Sequence, residues 1–161
     1  MIVSDSRGLG IQSGVVSDVE LITGWADRVI HGDSDLADLA VPPTIDAAVD
    51  LLPGWYEDWV AFEREAIRQH LMHALESLSL TLLRRGQFDD AIAAAMAAVR
   101  IDPLRESSHR ALAQIHLAEG NVGEALHVFR DYELRARREL GVLPTPQFAR
   151  LLELQVAKPP L

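Results

Sequence analysis

Two Glu-x-x-His pairs, Glu106 with His109 and Glu124 with His127, set a carboxylate and an imidazole one helical turn apart. Helical di-iron sites draw their ligands with that spacing. In a helical hairpin turning at Gly120, however, Glu106 would lie roughly 20 Å along the axis from the turn and Glu124 about 6 Å from it, so the two pairs would not meet. Ordinary duties fit both acids. Glu124 is the third helical residue after an Asn121 cap, and Glu106 falls in a first turn, where the helix dipole favours a negative charge. His70 with His73, and His109 with His116, also share helix faces, but neither pair has a third ligand at suitable spacing. The chain has no Gly-x-x-x-x-Gly-Lys loop, no Gly-x-Gly-x-x-Gly after a strand and no Gly-x-Ser-x-Gly elbow. With no cysteine it has no disulfide, thiolate metal site or thiol nucleophile. The expectation is a protein that is not an enzyme and carries no cofactor or metal.

Residues suited to binding are easier to find. Trp55, Tyr56, Trp59 and Phe62 form the densest aromatic cluster. They are expected mainly as core, packing the connection after Pro53-Gly54 over the following helices, with an anchor for a partner as the alternative. Glu63, Arg64, Glu65 and Arg68 read as a solvated face of neighbouring opposite charges. Arg135, Arg137 and Arg138 are the one basic run, placed at a helix C-terminus where cations are favoured.

The elements that must position these residues are helical. Strand-like alternation is confined to the start, around Leu9, Ile11, Val15 and Val16. Ser17-Asp18-Val19-Glu20 is a capping box, followed by Val19, Ile22, Trp25, Ala26, Val29 and Ile30 at helical spacing, which predicts a helix to about Gly32. Residues 33–43 are acidic and end in two prolines, so an irregular connection precedes a short helix near Thr44 to Leu52. From Trp55 to Arg85 no Gly or Pro intervenes, and Trp59, Phe62, Ala66, Leu71, Leu75, Leu78 and Leu82 predict one long helix ending at Gly86.

Beyond that point the chain repeats itself. Gly86-Gln87-Phe88-Asp89-Asp90-Ala91 is answered 34 residues later by Gly120-Asn121-Val122-Gly123-Glu124-Ala125, the period of a tetratricopeptide helix-turn-helix. Ala91 and Ala98 take its small positions, and Leu75, Leu78 and Leu82 its large ones. Asp102-Pro103 reads as an N-cap with proline at the first helical position. In the looser second unit Leu112, Ala113, Val122, Ala125 and Phe129 keep register, while His109, His116 and Tyr132 stand where aromatic or small residues are more usual. A last helix from Thr145-Pro146, with Phe148, Leu151, Leu152 and Leu154, would cover the open end. Two repeats need such flanking helices. The expected fold is all-α: a tetratricopeptide-like helical hairpin array with flanking capping helices over 17–156, after a non-helical entry or remnant of a preceding domain at 1–16 and before a tail at 157–161.

Charge is unevenly placed. Residues 1–58 carry 11 acids against two arginines and residues 59–161 carry 13 acids and 13 bases, so the formal charge of −9 belongs to the first third. That balance disfavours nucleic-acid binding by this chain alone. Without a long apolar run or a signal-peptide pattern, a cytoplasmic protein is expected.

Leu52-Pro53-Gly54-Trp55-Tyr56-Glu57-Asp58-Trp59-Val60, Glu63-Arg64, His73-Ala74-Leu75-Glu76, Asp102-Pro103-Leu104-Arg105-Glu106 with His109-Arg110, Gly120-Asn121 with Glu124-Ala125-Leu126, and Glu139-Leu140-Gly141 before Pro144-Thr145-Pro146 carry a resemblance. The run over about 17–156 resembles the bacterial transcriptional activator domain (BTAD), the tetratricopeptide-like module of Streptomyces antibiotic regulatory protein (SARP) type activators. The resemblance implies a module that follows a winged-helix DNA-binding domain and helps join promoter DNA to RNA polymerase. Nothing before residue 17 can make a winged helix, although Leu9 to Val16 is similar to the strand and link that leave one, so the chain is an excised fragment or a stand-alone module. No phosphate loop of an attached ATPase is present.

Taken together these readings predict a non-catalytic protein–protein interaction module of a bacterial transcriptional regulator. It would act by homodimerisation or by contact with RNA polymerase or a winged-helix DNA-binding domain, without sequence-specific DNA binding of its own and without membrane contact. The candidate partner-binding residues are Trp55, Tyr56, Trp59, Arg64, Arg68, Arg105, His109, Arg110 and His116. The alternative is a small-ligand sensor whose effector sits on a concave face lined in part by His109 and His116.

Overall fold

The computed structural model describes residues 2–5, 8–11, 16–46 and 50–156. Two short strands, β1 (Ile2–Asp5) and β2 (Gly8–Ile11), pair antiparallel with Ile2 opposite Ile11 and Ser4 opposite Leu9. Leu9 and Ile11 thus lie in a strand as expected, and Val15 is outside the described residues. Among the described residues, all that follows is helical or irregular.

Helix α1 (Asp18–His31) begins with both halves of the capping box: the Ser17 hydroxyl accepts from the Glu20 amide, and the Glu20 carboxylate accepts from the Ser17 amide at 2.8 Å. It ends at Gly32, whose φ of +81° suits a residue without Cβ. A 3₁₀ turn, Ala37–Leu39, then folds back on α1. There Asp38, buried although it belongs to the acidic connection, accepts two charge-assisted bonds from Arg28 at 2.7 and 2.9 Å, while its carbonyl accepts from the Trp25 indole at 3.0 Å. The short helix expected near Thr44 to Leu52 falls partly on residues 47–49, outside the described residues; Ile45 and Asp46 are helical, and Leu51 is not.

Helix α2 (Asp58–Arg84) is 27 residues and about 40 Å long. It pairs with α3 (Phe88–Ile101) as the first hairpin; α4 (Glu106–Glu119) and α5 (Val122–Leu140) form the second. Helix α6 (Pro146–Val156) closes the far end against α5 and α4, and α1 covers α2. The 34-residue period is reproduced bond for bond. Gln87 N–H donates to the Leu82 carbonyl and Asn121 N–H to that of His116; Gly86 and Gly120 bond to Leu83 and Leu117 in the same way, at φ of +72° and +91°.

The main core joins Ile22, Trp25, Ala26 and Val29 of α1 to Leu71, Leu75, Leu78 and Leu82 of α2 and to the alanines of α3, among them Ala91 and Ala98. Alanine lets the α3 backbone approach its neighbours closely. A second core under α6 gathers Ala113, Ala125, Tyr132, Ala136, Phe148 and Leu152.

Three sequence expectations need correction. Trp59, Phe62 and Ala66 are exposed, and Val60 and Ile67 are buried in their place. The step from Ala66 to Leu71 is five residues, which at 100° per residue turns the first three about 140° off the stripe that continues through Leu71. Asp102-Pro103 is not an N-cap: Asp102 closes α3 as its C-cap, its carboxylate accepts from the Leu104 amide at 3.0 Å in a local turn, and α4 starts only at Glu106. Asn121 stands at the N-cap of α5 but makes no side-chain cap, because its amide donates to Glu119 at 2.7 Å.

Candidate functional site

His109, Arg110 and His116 lie apart on α4, and the other six of the nine candidate residues fall on two surfaces of different character. The first is a polar seam between α2 and the α3–α4 connection. Asp102 accepts from Arg68 at 3.1 Å, Arg68 forks onto Glu65 at 2.7 and 2.8 Å, and Glu65 accepts from Gln69 at 2.7 Å. The Gln69 carbonyl accepts from Arg105 at 2.9 Å, and the Arg105 Nε donates to Glu76 Oε1 at 2.9 Å. That same Glu76 oxygen also accepts from Ser107 at 2.7 Å and Ser108 at 2.8 Å. Arg68 and Gln69 holding Glu65 bring its carboxyl down to about 2. Burial pushes the Glu76 carboxyl up, but Arg105, Ser107 and Ser108 outweigh it and leave the group below its ordinary value.

The other polar candidates near the second hairpin are likewise engaged. The His109 ring is buried, 4.9 Å from that of Tyr132, with Nε2 3.0 Å from the Pro103 carbonyl. Burial lowers its pKa, the Pro103 carbonyl opposing. The His109–Tyr132 stack fills the position where the repeat usually places aromatic or small residues. Arg110 reaches Glu106 at 3.3 Å, one turn back, and Glu106 also accepts from the amide (2.7 Å) and hydroxyl of Thr145, tying the start of α6 to the start of α4. His116 is largely buried, its Nδ1 without a hydrogen-bond partner and 4.0 Å from Glu119. Glu124 and His127 are exposed on α5, where His127 pairs with Asp131 at 3.3 Å. His70 bonds Asp27 of α1 at 3.1 Å. Among the described residues no group of three His, Asp or Glu side chains converges as a metal site would require.

The second surface surrounds the start of α2. Trp55 is 51% exposed, Tyr56 90%, Trp59 55% and Phe62 73%. This reverses the expectation that they pack the core. Trp55 and Trp59 meet edge to face with centroids 6.5 Å apart. Arg64, one turn below, faces the loop instead of solvent: it donates to the carbonyls of Leu51 (2.6 Å), Leu52 (2.7 Å) and Trp55 (3.1 Å). Those three bonds hold a tight turn in which Leu52 has φ +51° and Gly54 +86°. A non-glycine residue in the left-handed region is strained and persists only where its surroundings fix it. The aromatic loop is therefore fixed to the helix.

Sequence reasoning identified Arg105 and the aromatic cluster, but gave Glu76, Gln69, Ser107 and Ser108 no role. The signals for Glu76 are its place in the His73-Ala74-Leu75-Glu76 run of the resemblance and its position in the long helix between the core positions Leu75 and Leu78. A third surface, unforeseen, is an open groove of about 540 Å³ between α5 and α6, with Phe129 and Leu152 on its floor and Arg130, Glu133 and Glu153 on its rim. No helix is long and apolar enough to cross a membrane among the described residues.

A family model described as bacterial transcriptional activator domain matches residues 43–154. No curated protein matches the chain.

Proposed function

Because the chain belongs to the bacterial transcriptional activator domain family, whose role is tied to transcriptional activation, we propose that it is a non-catalytic helical module that works by binding protein. Its partners would be a winged-helix DNA-binding domain, RNA polymerase or a second copy of itself. The observation that carries this reading is the division of labour between its two surfaces. The buried and half-buried ionisable groups of the seam bond one another, whereas Trp55 and Tyr56 of the braced loop and Trp59 and Phe62 of the first turns of α2 are presented to solvent. Large exposed aromatic side chains gathered in one place are the usual mark of a binding surface.

Size-exclusion chromatography with light scattering, together with capture of purified RNA polymerase holoenzyme and of winged-helix regulators, tests the reading. Self-association or specific capture is expected, and a strict monomer that retains neither would overturn it. The rival, a small-effector sensor on a face lined by His109 and His116, is disfavoured because His109 is buried against Tyr132 and bonded to Pro103. A metabolite that raises the melting temperature by binding the native state would restore that rival.

A further inference from the structure

We propose that the aromatic surface at the start of α2 is a docking site for a basic, amphipathic protein segment, one that presents Lys or Arg around a row of apolar side chains. The proposal rests on the reading of the chain as a protein-binding module and adds the chemistry of the partner. Trp59 and Phe62 lie three residues apart on one face of α2, and Trp55 and Tyr56 extend the patch through the fixed loop. Its rim carries one sign of charge. Asp50, Glu57, Asp58 and Glu63 are exposed within five residues of a ring along the chain, and from Gly32 to Glu63 there is no Lys or Arg. The first cation, Arg64, bonds the three carbonyls that brace the loop and lies 3.9 Å from Asp50, so it offsets that one acid, while Glu57, Asp58 and Glu63 have no ion pair among the described residues.

The physics selects among occupants. Phosphate backbones and acidic peptides would meet repulsion from the rim. A cationic segment without apolar residues would gain only screened attraction, falling off over about 10 Å at ordinary salt. A basic amphipathic segment gains both terms: the rings supply desolvated contact, and the rim sets orientation and speeds encounter. The loop adds preorganisation. Arg64 and the turn at Leu52 and Gly54 position the Trp55 backbone before any partner arrives, which reduces the ordering cost of binding.

The test is tryptophan fluorescence and calorimetric titration of the whole chain with three short helical peptides, one of Lys and Leu, one of Lys and Ser and one of Glu and Leu. Saturable binding is expected for the Lys/Leu peptide alone. Trp59→Ala, whose side chain is half exposed and whose fold is checked by thermal melting, is expected to weaken it by about tenfold or more, as truncation of an aromatic anchor does. The triple variant Glu57→Gln, Asp58→Asn, Glu63→Gln is expected to weaken it and flatten its salt dependence between roughly 0.05 and 0.3 M. Equal binding of the Glu/Leu peptide, no binding of the Lys/Leu peptide, or an unchanged affinity in Trp59→Ala would overturn the proposal. So would a dimer that Trp59→Ala dissolves, since a second copy would then cover the patch. Holoenzyme capture separates this proposal from the reading beneath it. Capture that Trp59→Ala leaves intact removes the docking site and keeps the module's function. Peptide binding lost in Trp59→Ala, without capture of any transcription protein, keeps the site and removes that function.

Discussion

Glu76 accepts three hydrogen bonds on one carboxylate oxygen, from Arg105, Ser107 and Ser108, and it is the residue on which the seam converges. Truncation to alanine would leave the hydroxyl of fully buried Ser108 without its acceptor and Arg105 without its ion-pair partner, with only the neutral Gln69 and Ser107 still accepting from it. Glu76→Ala is therefore expected to cost about 2–3 kcal/mol in urea unfolding, the scale for orphaning charged and polar groups away from water. Removing exposed Glu139 from its pair with Arg138 should cost under about 1 kcal/mol. The same residues shape the acid limb of stability. His109 has its folded pKa lowered by burial, so its contribution is complete above the unfolded value of about 6.5 and is lost as pH falls below it, when the unfolded chain takes a proton that the folded one refuses. Glu76, also lowered in the folded state, contributes fully above about 4.3 and loses its share as pH falls further. Unfolding followed from pH 8 to 3 should show two successive declines. His109→Phe should remove the upper one and Glu76→Gln reduce the lower one, to which Glu65 and Asp38, also lowered by their arginine partners, contribute as well; a single decline unaffected by either variant would refute the assignment.

At the scale of elements, what could be read from the sequence was what is encoded locally. The capping box at Ser17, the stop at Gly86, the return of the same turn at Gly120 and the Thr145-Pro146 start of α6 depend on residues within one helical turn of each other, so their types suffice. What failed depended on distant partners or on phase. Asp102 looked like an N-cap, yet its carboxylate is shared between its own turn and Arg68, 34 residues back. Asp38 stands in the acidic 33–43 connection with nothing to single it out, and no local signal shows Arg28 and Trp25 closing over it. The aromatic stripe of α2 was assigned to the core because spacings of three, four and five were counted alike, although the five-residue step carries Trp59 and Phe62 to the other side. The equivalence of the two repeat turns makes a prediction of its own. A Cβ at Gly86 or Gly120 would touch nothing within 4 Å, so the cost of alanine there is backbone strain alone, about 1 kcal/mol and similar at both sites. Gly123, inside α5 without a positive φ and with equally open surroundings, is the control: Gly123→Ala should stabilise by about 0.5–1 kcal/mol. Opposite signs in thermal unfolding would support the argument, and equal signs would refute it.

Among the described residues, several of the cations are engaged by the chain's own acids and carbonyls, which bears on DNA. Arg28 is forked onto Asp38, Arg64 onto three carbonyls, Arg68 onto Glu65 and Asp102, and Arg105 onto Glu76; Arg110 meets Glu106, and even in the basic run at the end of α5 Arg137 and Arg138 meet Glu133 and Glu139. A phosphate backbone is held by cations free to release its counterions, and a base edge is read by side chains clustered on one presented helix face. Arg84, Arg85, Arg100, Arg130, Arg135 and Arg150 are exposed with no ion pair of their own among the described residues, but they are interspersed with Asp89, Asp90, Asp102, Asp131, Glu133 and Glu153, and the molecule carries −9 overall. Any attractive field is thus local and falls off within about 8 Å at physiological salt. This chain by itself is accordingly predicted to show no sequence-specific DNA binding and only weak retention of any duplex. An electrophoretic mobility assay at roughly 0.15 M salt decides the matter, because non-specific contacts typically give Kd values of about 10⁻⁴ to 10⁻⁶ M there. Submicromolar retention of a promoter fragment that survives competitor DNA would show that one of these arginine faces reads sequence after all.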